Sequence, residues 1–429
     1  MVEHKTDDYS DLKTAGVEWI RLEGANGMNW GPTEETPGVY DWSKQDLLVE
    51  KLVGEGFQIF WTVSSFHQDH GNIHYLPEDM AGYLKFLSAA VERYDGDGVD
   101  DAPGSPVVDY FQVENEVDGH FWEDTPENYA FLLKESIKVI REASSNAKVA
   151  IGGASIPRGY YDFYSEILAE FSDEDPFFDV MDVHWYEGVG DYAVHPLGDY
   201  PLEDLMADLR EDLEGRDVEV WFTEVGTHTG SDVANKPAQS EQGQAMELVK
   251  RYVHFTGNGV ARTFWHSMLE DRAYSKELMH NDFFDNMGLI YNGFSFVDGE
   301  ALYNPDGVGE DLGDGVRKLG FYSHQLLAEK LAAYDEVAAV QQSDGAYIYR
   351  FDVKGAYVWV AWREGGGTIS LAMPGISGVV VMDAVPDGTS GMNVDEAQYL
   401  DFFPTRIEAV EDGELVLQLG DVPVIIEAE

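Results

Sequence analysis

The chain has no cysteine among its 429 residues, which excludes disulfides and thiolate metal centres. It is also poor in positive charge. Only 27 Lys and Arg stand against 81 Asp and Glu, for a net charge of -54. Phosphate backbones and anionic lipid surfaces are held by a basic footprint, so neither nucleic acid nor a membrane is an expected partner. No run approaches the roughly 20 apolar residues of a membrane span. The opening stretch, "MVEHKTDDYSDLKTAG", lacks an apolar h-region, so no signal peptide is expected. As written the chain reads as cytoplasmic, or extracellular if residues precede Met1. No Gly-x-Gly-x-x-Gly follows the first apolar run, so a dinucleotide fold has no support.

What is present is enough to build a large core: 44% hydrophobic and 13% aromatic residues. The acids are spread along the chain rather than gathered in a tail, so they read as a solvated surface. Such a surface suits high salt, where self-repulsion is screened within roughly 3 Å at about 1 M. A halophilic host is the expectation.

Short apolar runs alternate with amphipathic stretches. The runs are 16–22, 56–63, 107–113, 148–153, 178–186, 218–226 and 260–268, and helical patterns such as 126–143 and 240–258 lie between them. Continuous apolar strands alternating with helices predict a parallel sheet covered on both faces. Their number and spacing suit a (β/α)8 TIM barrel. Near residue 333 the pattern changes to alternating strands ("AYIYRFDV", "AYVWVAWR", "GVVVMDAV", "ELVLQLG", "VPVIIEAE") with Gly and Asp turns. These predict a small C-terminal antiparallel β-sandwich over 333–429, after a catalytic barrel over 1–332. The acidic, Gly-rich stretch 298–315 reads as a loop after the last barrel strand.

Active residues of such barrels sit at the C-terminal ends of strands. Those ends carry Arg21 and Glu23; Ser64, Ser65 and His67; Glu114, Asn115 and Glu116; His184, Trp185 and Tyr186; Glu224; and Trp265 and His266. Glutamates on separate strands, flanked by Arg, His, Tyr and Trp, are what retaining glycoside hydrolysis requires. One carboxylic acid protonates the leaving oxygen, and a second carboxylate about 5 to 5.5 Å away attacks the anomeric carbon. The acid role needs a protonated group and the nucleophile role an ionised one. Different surroundings produce that asymmetry.

On these residues the sequence resembles glycoside hydrolase clan A, in particular families 5 and 39. "VENE" (113–116) looks like the clan's acid/base strand and "WFTEVG" (221–226) like its nucleophile strand. "DVHWY" lies between them, and "TFWHSM" resembles the final strand. The resemblance implies Glu116 as acid/base, Asn115 bonding the sugar 2-hydroxyl, and Glu224 as nucleophile. Arg21 and Tyr186 would orient Glu224, His184 would line the site, and Trp265 would stack on the sugar. It implies an oligo- or polysaccharide substrate and no cofactor. Two departures stand out. Val117 occupies a position where the clan usually has proline, and "GVEWIRL" matches the clan's second strand, so the first is missing or truncated and no complete strand is expected within residues 1–10.

Blander readings compete. Glu114 shares strand parity with Glu116 and is the alternative acid. Trp185 and Trp265 can serve as barrel-wall aromatics, and His184 as a core histidine. "HQDHGNIH" (67–74) reads as a substrate-side loop rather than a metal site, because its spacing is not His-Glu-x-x-His. "DGDGVDD" (95–101) lacks the full calcium-loop pattern. A transglycosidase uses the same two glutamates, and a non-catalytic carbohydrate-binding protein needs neither.

Overall fold

The computed structural model describes residues 9–157, 163–188, 201–230, 237–270, 284–291, 296–297, 300–301 and 315–429. The expected absence of a first strand in residues 1–10 therefore falls mostly outside the described residues. Tyr9 leads into a short helix, α1 (Ser10–Thr14).

The strands of the first sheet are β1 (Trp19–Leu22), β2 (Met28–Asn29), β3 (Gln58–Ser64), β4 (Tyr110–Val113), β5 (Lys148–Ile151), β6 (Val180–Trp185), β7 (Glu219–Val225) and β8 (Arg262–Trp265). All pair in parallel, in the order β1-β3-β4-β5-β6-β7-β8, while β2 prolongs the β1 edge against Val63 and Ser64. Past the short α2 (Trp30–Thr33), the helices α3 (Ser43–Gly54), α4 (Met80–Arg93), α5 (Pro126–Ala143), α6 (Ser165–Ala169), α7 (Leu202–Asp212) and α8 (Glu241–Gly257) each lead into the next strand of that order. Their starts are chemically specified. Asp79, Thr125 and Ser240 each accept a hydrogen bond from a backbone N–H three residues on, and Pro126 opens α5. The fold is the expected (β/α)8 barrel, followed by an antiparallel β-sandwich.

The barrel has a seam. Among the described residues β1 and β8 pair only on one side each, and a cavity of about 300 Å³ lies between them, lined in part by Val17, Trp19, Tyr252, Phe264 and Trp265. All four β8 residues are only half-buried, whereas every residue of β6 is buried. That is the burial of a sheet edge, not of a closed wall.

Inside the barrel, side chains two residues apart along each strand form layers. The lower layer is apolar: Trp19, Phe60, Tyr110, Ala150, Val180, Trp221 and Phe264. Trp19 meets Tyr110 and Trp221 at ring-centroid distances of 4.9 and 5.3 Å. Two residues higher the same strands present Arg21, Thr62, Gln112, Asp182 and Thr223, all buried and polar. The barrel thus changes from an aromatic floor to a hydrogen-bonding layer directly beneath its mouth.

After β8, β9 (Phe296–Val297) and β10 (Glu300–Ala301) pair antiparallel, so the stretch 298–315, expected to be a loop, includes strand residues at Glu300–Ala301. Helix α9 (Leu319–Leu331) leads to the C-terminal strands β11 (Tyr334–Ser343), β12 (Ala346–Val353), β13 (Ala356–Arg363), β14 (Gly367–Ala372), β15 (Gly378–Asp383), β16 (Thr405–Ala409), β17 (Glu414–Leu419) and β18 (Val424–Ala428). A six-stranded sheet, β11-β12-β13-β18-β15-β16, faces the pair β14-β17. Ile348, Trp359, Ile369, Leu417 and Ile426 fill the space between them. The strands β11, β14 and β16 escape a hydrophobicity reading because polar and charged residues interrupt their apolar ones ("YDEVAAVQQS", "GTISLA", "TRIEA").

The other face of the six-stranded sheet packs on the barrel. Tyr349, Phe351, Trp362 and Ile425 belong to the same apolar cluster as the barrel helices. Gly257, at the end of α8, permits the approach: an added Cβ would stand 2.2 Å from the Tyr349 ring. Glu241, at the start of α8, accepts hydrogen bonds from the backbone N–H groups of Leu319 and Gly391, at 2.8 and 2.7 Å. One buried carboxylate thereby ties α8, α9 and the C-terminal domain.

Candidate active site

The strand ends converge at the barrel mouth. Arg21 on β1 donates from Nη1 to Glu224 Oε1 at 2.5 Å and from Nη2 to Asn115 Oδ1 at 2.6 Å. Its guanidinium also pairs with Glu23 at 2.6 Å and donates to Gln112 Oε1. Tyr186 donates its hydroxyl to the other Glu224 oxygen. His184 Nδ1 hydrogen-bonds Glu116 Oε1 at 2.7 Å and lies 3.5 Å from Glu224 Oε2. Of the predicted site residues, Arg21, Asn115, Glu116, His184, Tyr186 and Glu224 therefore form one connected cluster. Trp265 stands at the end of β8, half-buried, its indole N–H donating to the Met287 carbonyl at 3.0 Å.

Local backbone features set these directions. Between β6 and β7 the register steps from Asp182↔Trp221 to His184↔Glu224, and between β7 and β8 from Phe222↔Thr263 to Val225↔Trp265. β7 thus carries one extra residue against each neighbour. This bulge re-aims the side chains near Glu224. Glu114 and Glu116, just past β4, have φ of 62° and 41°. Left-handed backbone at non-glycine residues costs about 1–3 kcal/mol and clusters at functional sites.

The electrostatics divide the glutamates. Glu224 is only 7% exposed. Burial by itself would raise its pKa, but His184 and Arg21 outweigh burial and hold it well below the usual carboxylate range. Burial works against the charge on Arg21 too, yet Glu23 and Glu224 keep it above its ordinary value. Burial also opposes charge on His184, but Glu224, Asp182 and Glu116 surround it, and its pKa rises to about 10. Tyr186 is pushed far up by burial and by Glu224, so it remains a hydroxyl donor. Burial raises Glu23 against the pull of Arg21.

Glu114, the alternative acid, turns elsewhere. Its Oε1 accepts the Ser65 backbone N–H at 2.7 Å, and burial pushes its pKa up to about 6. The histidine loop is used structurally: His67 bonds the Glu34 carbonyl at 2.8 Å, and His70 stacks on Trp30 at 5.1 Å. Trp185 is a wall aromatic, buried and stacked on Phe222. Glu116, His184 and Glu224 bring one ligand atom each within 4.8 Å of one another. These groups already have partners: Arg21 and Tyr186 on Glu224, and His184 on Glu116. Asp95, Asp97 and Asp101 also converge, but they already accept backbone N–H groups of their own loop.

Sequence reasoning missed the layer beneath. Gln112 Nε2 donates to Asp182 Oδ2 at 2.5 Å, and Thr223 Oγ1 donates to the same oxygen at 2.6 Å. The signal was there: each of Gln112 and Asp182 is a polar residue inside an apolar parallel strand, and Asp182 stands two positions before His184, the strand-end residue it supports. Most of residues 187–200 and 267–315 lies outside the described residues.

Residues 108–292 match the family model described as glycosyl hydrolase catalytic core, a span that holds Glu116, His184, Tyr186, Glu224 and Trp265. No curated protein matches the chain in sequence. Among solved structures, a family 39 glycoside hydrolase from Bacteroides cellulosilyticus WH2 superposes with a TM-score of 0.70 at 18% identity, over 100% of this chain and 80% of that one. An alpha-L-arabinofuranosidase from Thermotoga maritima gives 0.60 at 13% identity, over 98% and 89%. A GH39 beta-xylosidase from Caulobacter crescentus gives 0.54 at 17%, over 99% and 93%. At such identities the likeness to solved structures is one of fold. With the catalytic-core match running through both strand-end glutamates, residues 108–292 of this (β/α)8 barrel are similar to a glycosyl hydrolase catalytic core.

Proposed function

We propose that this protein is a glycoside hydrolase that cleaves a β-linked saccharide with retention, by double displacement. The observation that carries the reading is the proximity of Glu116 and Glu224, whose oxygens approach within 4.8 Å across one mouth. That separation favours the retaining arrangement of about 5 to 5.5 Å over the inverting one of about 6.5 to 9.5 Å.

In this reading Glu224, kept ionised by His184 and Arg21, attacks the anomeric carbon while a proton passes from Glu116 to the leaving oxygen. Arg21 and Tyr186 each hold one Glu224 oxygen and so limit the carboxylate's rotation before attack. Asn115, fixed by Arg21, faces the sugar 2-hydroxyl, and Trp265 offers an apolar platform to the ring. Water, deprotonated by Glu116, then releases the sugar from Glu224.

The solved structures of similar fold include an alpha-L-arabinofuranosidase and beta-xylosidases, so pentosides belong first in any substrate panel. Net charge -54 supports a halophilic setting, and assays belong in molar salt. The test is hydrolysis of a panel of aryl glycosides in about 2 M salt, with the anomer of the first-formed product read by proton NMR. Retained product is expected. Inverted first product would overturn the mechanism, and turnover of α-glycosides alone would overturn the linkage.

A further inference from the structure

Beneath the proposed acid/base lies a buried chain of polar groups that the double-displacement scheme does not use. Asp182 and His184 are both fully buried. Asp182 Oδ2 lies 3.5 Å from His184 Nε2, and the opposite ring nitrogen bonds Glu116. The carboxylate is held from three sides. Gln112 Nε2 and Thr223 Oγ1 donate to Oδ2, and the Thr223 backbone N–H donates to Oδ1 at 3.1 Å. Gly153, just past β5, leaves room for the pair: an added Cβ would stand 2.4 Å from His184 Nε2 and 2.7 Å from Asp182 Oδ2. A carboxylate in a dry barrel core needs partners. This one is fixed behind a histidine that itself bridges both catalytic glutamates.

We propose that Asp182 and His184 form a proton relay behind Glu116, in which His184 Nδ1 stores the proton that Glu116 gives to the glycosidic oxygen. The inference rests on the retaining reading of Glu116 and Glu224.

In the proposed resting site the proton sits on His184 Nδ1, hydrogen-bonded to Glu116 Oε1 and facing Glu224. As Glu224 bonds to the anomeric carbon its charge is lost, and His184 loses one of its counter-charges. The Nδ1–H bond then breaks, the proton passes to Glu116 Oε1, and the proton on Glu116 bonds the departing oxygen. The leaving group departs as a neutral alcohol. His184 is left neutral and Glu116 ionised, which is the base the second step needs. Water gives its proton to Glu116 and its hydroxyl to the anomeric carbon, Glu224 departs as a carboxylate, and the new proton returns to His184 Nδ1. Protons and charge balance over the cycle.

The other charged or titratable groups facing His184 fit this scheme. Arg21 is committed to Glu23 and Glu224. His266 is pushed down to about 4 by burial and stays neutral. Tyr186 stays a phenol, and Glu23 adds a carboxylate whose field reaches His184. His184 is thus the cation placed between acid/base and nucleophile. Its pKa near 10 agrees with that position.

The test has two arms. In protein labelled with 15N-histidine, the His184 ring should show both nitrogens protonated at pH 8, and should lose its proton at least one pH unit lower in Asp182→Asn or Gly153→Ala. Gly153→Ala separates the pair without changing a charge, and serves if Asp182→Asn does not fold. A wild-type ring titrating near its ordinary value of about 6.5 would overturn the relay, whether or not the enzyme turns over any glycoside. The second arm compares leaving groups. In either variant the alkaline limb of kcat/KM for a phenyl glycoside should move down by about one pH unit or more. The kcat/KM for a 2,4-dinitrophenyl glycoside, whose first step needs little acid help, should change by less than about threefold. Equal losses on both substrates at every pH would mark Asp182 as a packing residue only. Absence of turnover on every glycoside would count against the functional reading, leaving the first arm to judge the relay.

Discussion

Arg21 and Glu224 stand 2.5 Å apart, joining β1 to β7 across the unpaired seam at β8. One guanidinium thereby holds Glu224, Asn115, Gln112 and Glu23 together. Arg21→Lys supplies a point charge where a planar fork is used. We expect kcat/KM to fall by about 10²-fold or more, because a shift near 1 Å at the nucleophile has that effect. An unaltered kcat/KM would show that the fork does not position Glu224.

The roles of the two glutamates are separable by chemical rescue. Glu224→Ala should abolish turnover, and azide entering the vacated space should restore it, giving an inverted glycosyl azide. In Glu116→Ala an activated aryl glycoside should still glycosylate Glu224 and accumulate the intermediate, and azide should give the retained product. The same product anomer from both variants would reverse or remove these assignments.

Glu114 bonds a backbone N–H rather than facing Glu224. Glu114→Gln should therefore leave the pH profile of kcat/KM unchanged, within about half a unit, and alter mainly thermal stability. A profile that lost its alkaline limb in this variant would return Glu114 to the catalytic pair.

The site should mark the pH dependence of folding. Glu224 is held below its ordinary value of 4.5, so its contribution is present above that value and is lost as pH falls below it. His184 is raised from 6.5 to about 10; its contribution is complete below 6.5 and is lost as pH rises through about 10. The gap in Tm between wild type and Glu224→Gln should narrow on acidification, and that between wild type and His184→Gln on alkalinisation. Constant gaps would contradict both shifts.

Charge should govern stability at large. With net charge -54, self-repulsion favours the unfolded chain until counterions screen it. Tm should rise markedly between about 0.05 M and 2 M salt; equal values would remove the argument for a halophilic setting.

Much of the fold was legible because two kinds of pattern are local. Apolar runs such as "FQIFWTV" declare parallel strands buried on both faces, and capped amphipathic stretches such as α5 declare the helices between them. Strand-end polar residues then fall at one mouth by topology alone, which brings Glu116, His184 and Glu224 into one cleft. The polar layer was harder to read. Gln112 and Asp182 look like interruptions of apolar strands until the barrel closes around them and each becomes the partner of the other.

By itself, then, the sequence determined the architecture, the order of the strand-end motifs and the sign of the surface charge. Those depend on residue type and spacing along the chain. Tertiary structure alone decided which carboxylates meet. Glu114 and Glu116 share parity and left-handed backbone, yet one turns to Ser65 and the other to His184. The extra residue in β7 re-aims the side chains around Glu224, and the open edge at β8 sets the seam beside Arg21. Register, bulges and closure arise from how strands sit against their neighbours, and spacing within one strand carries no record of them.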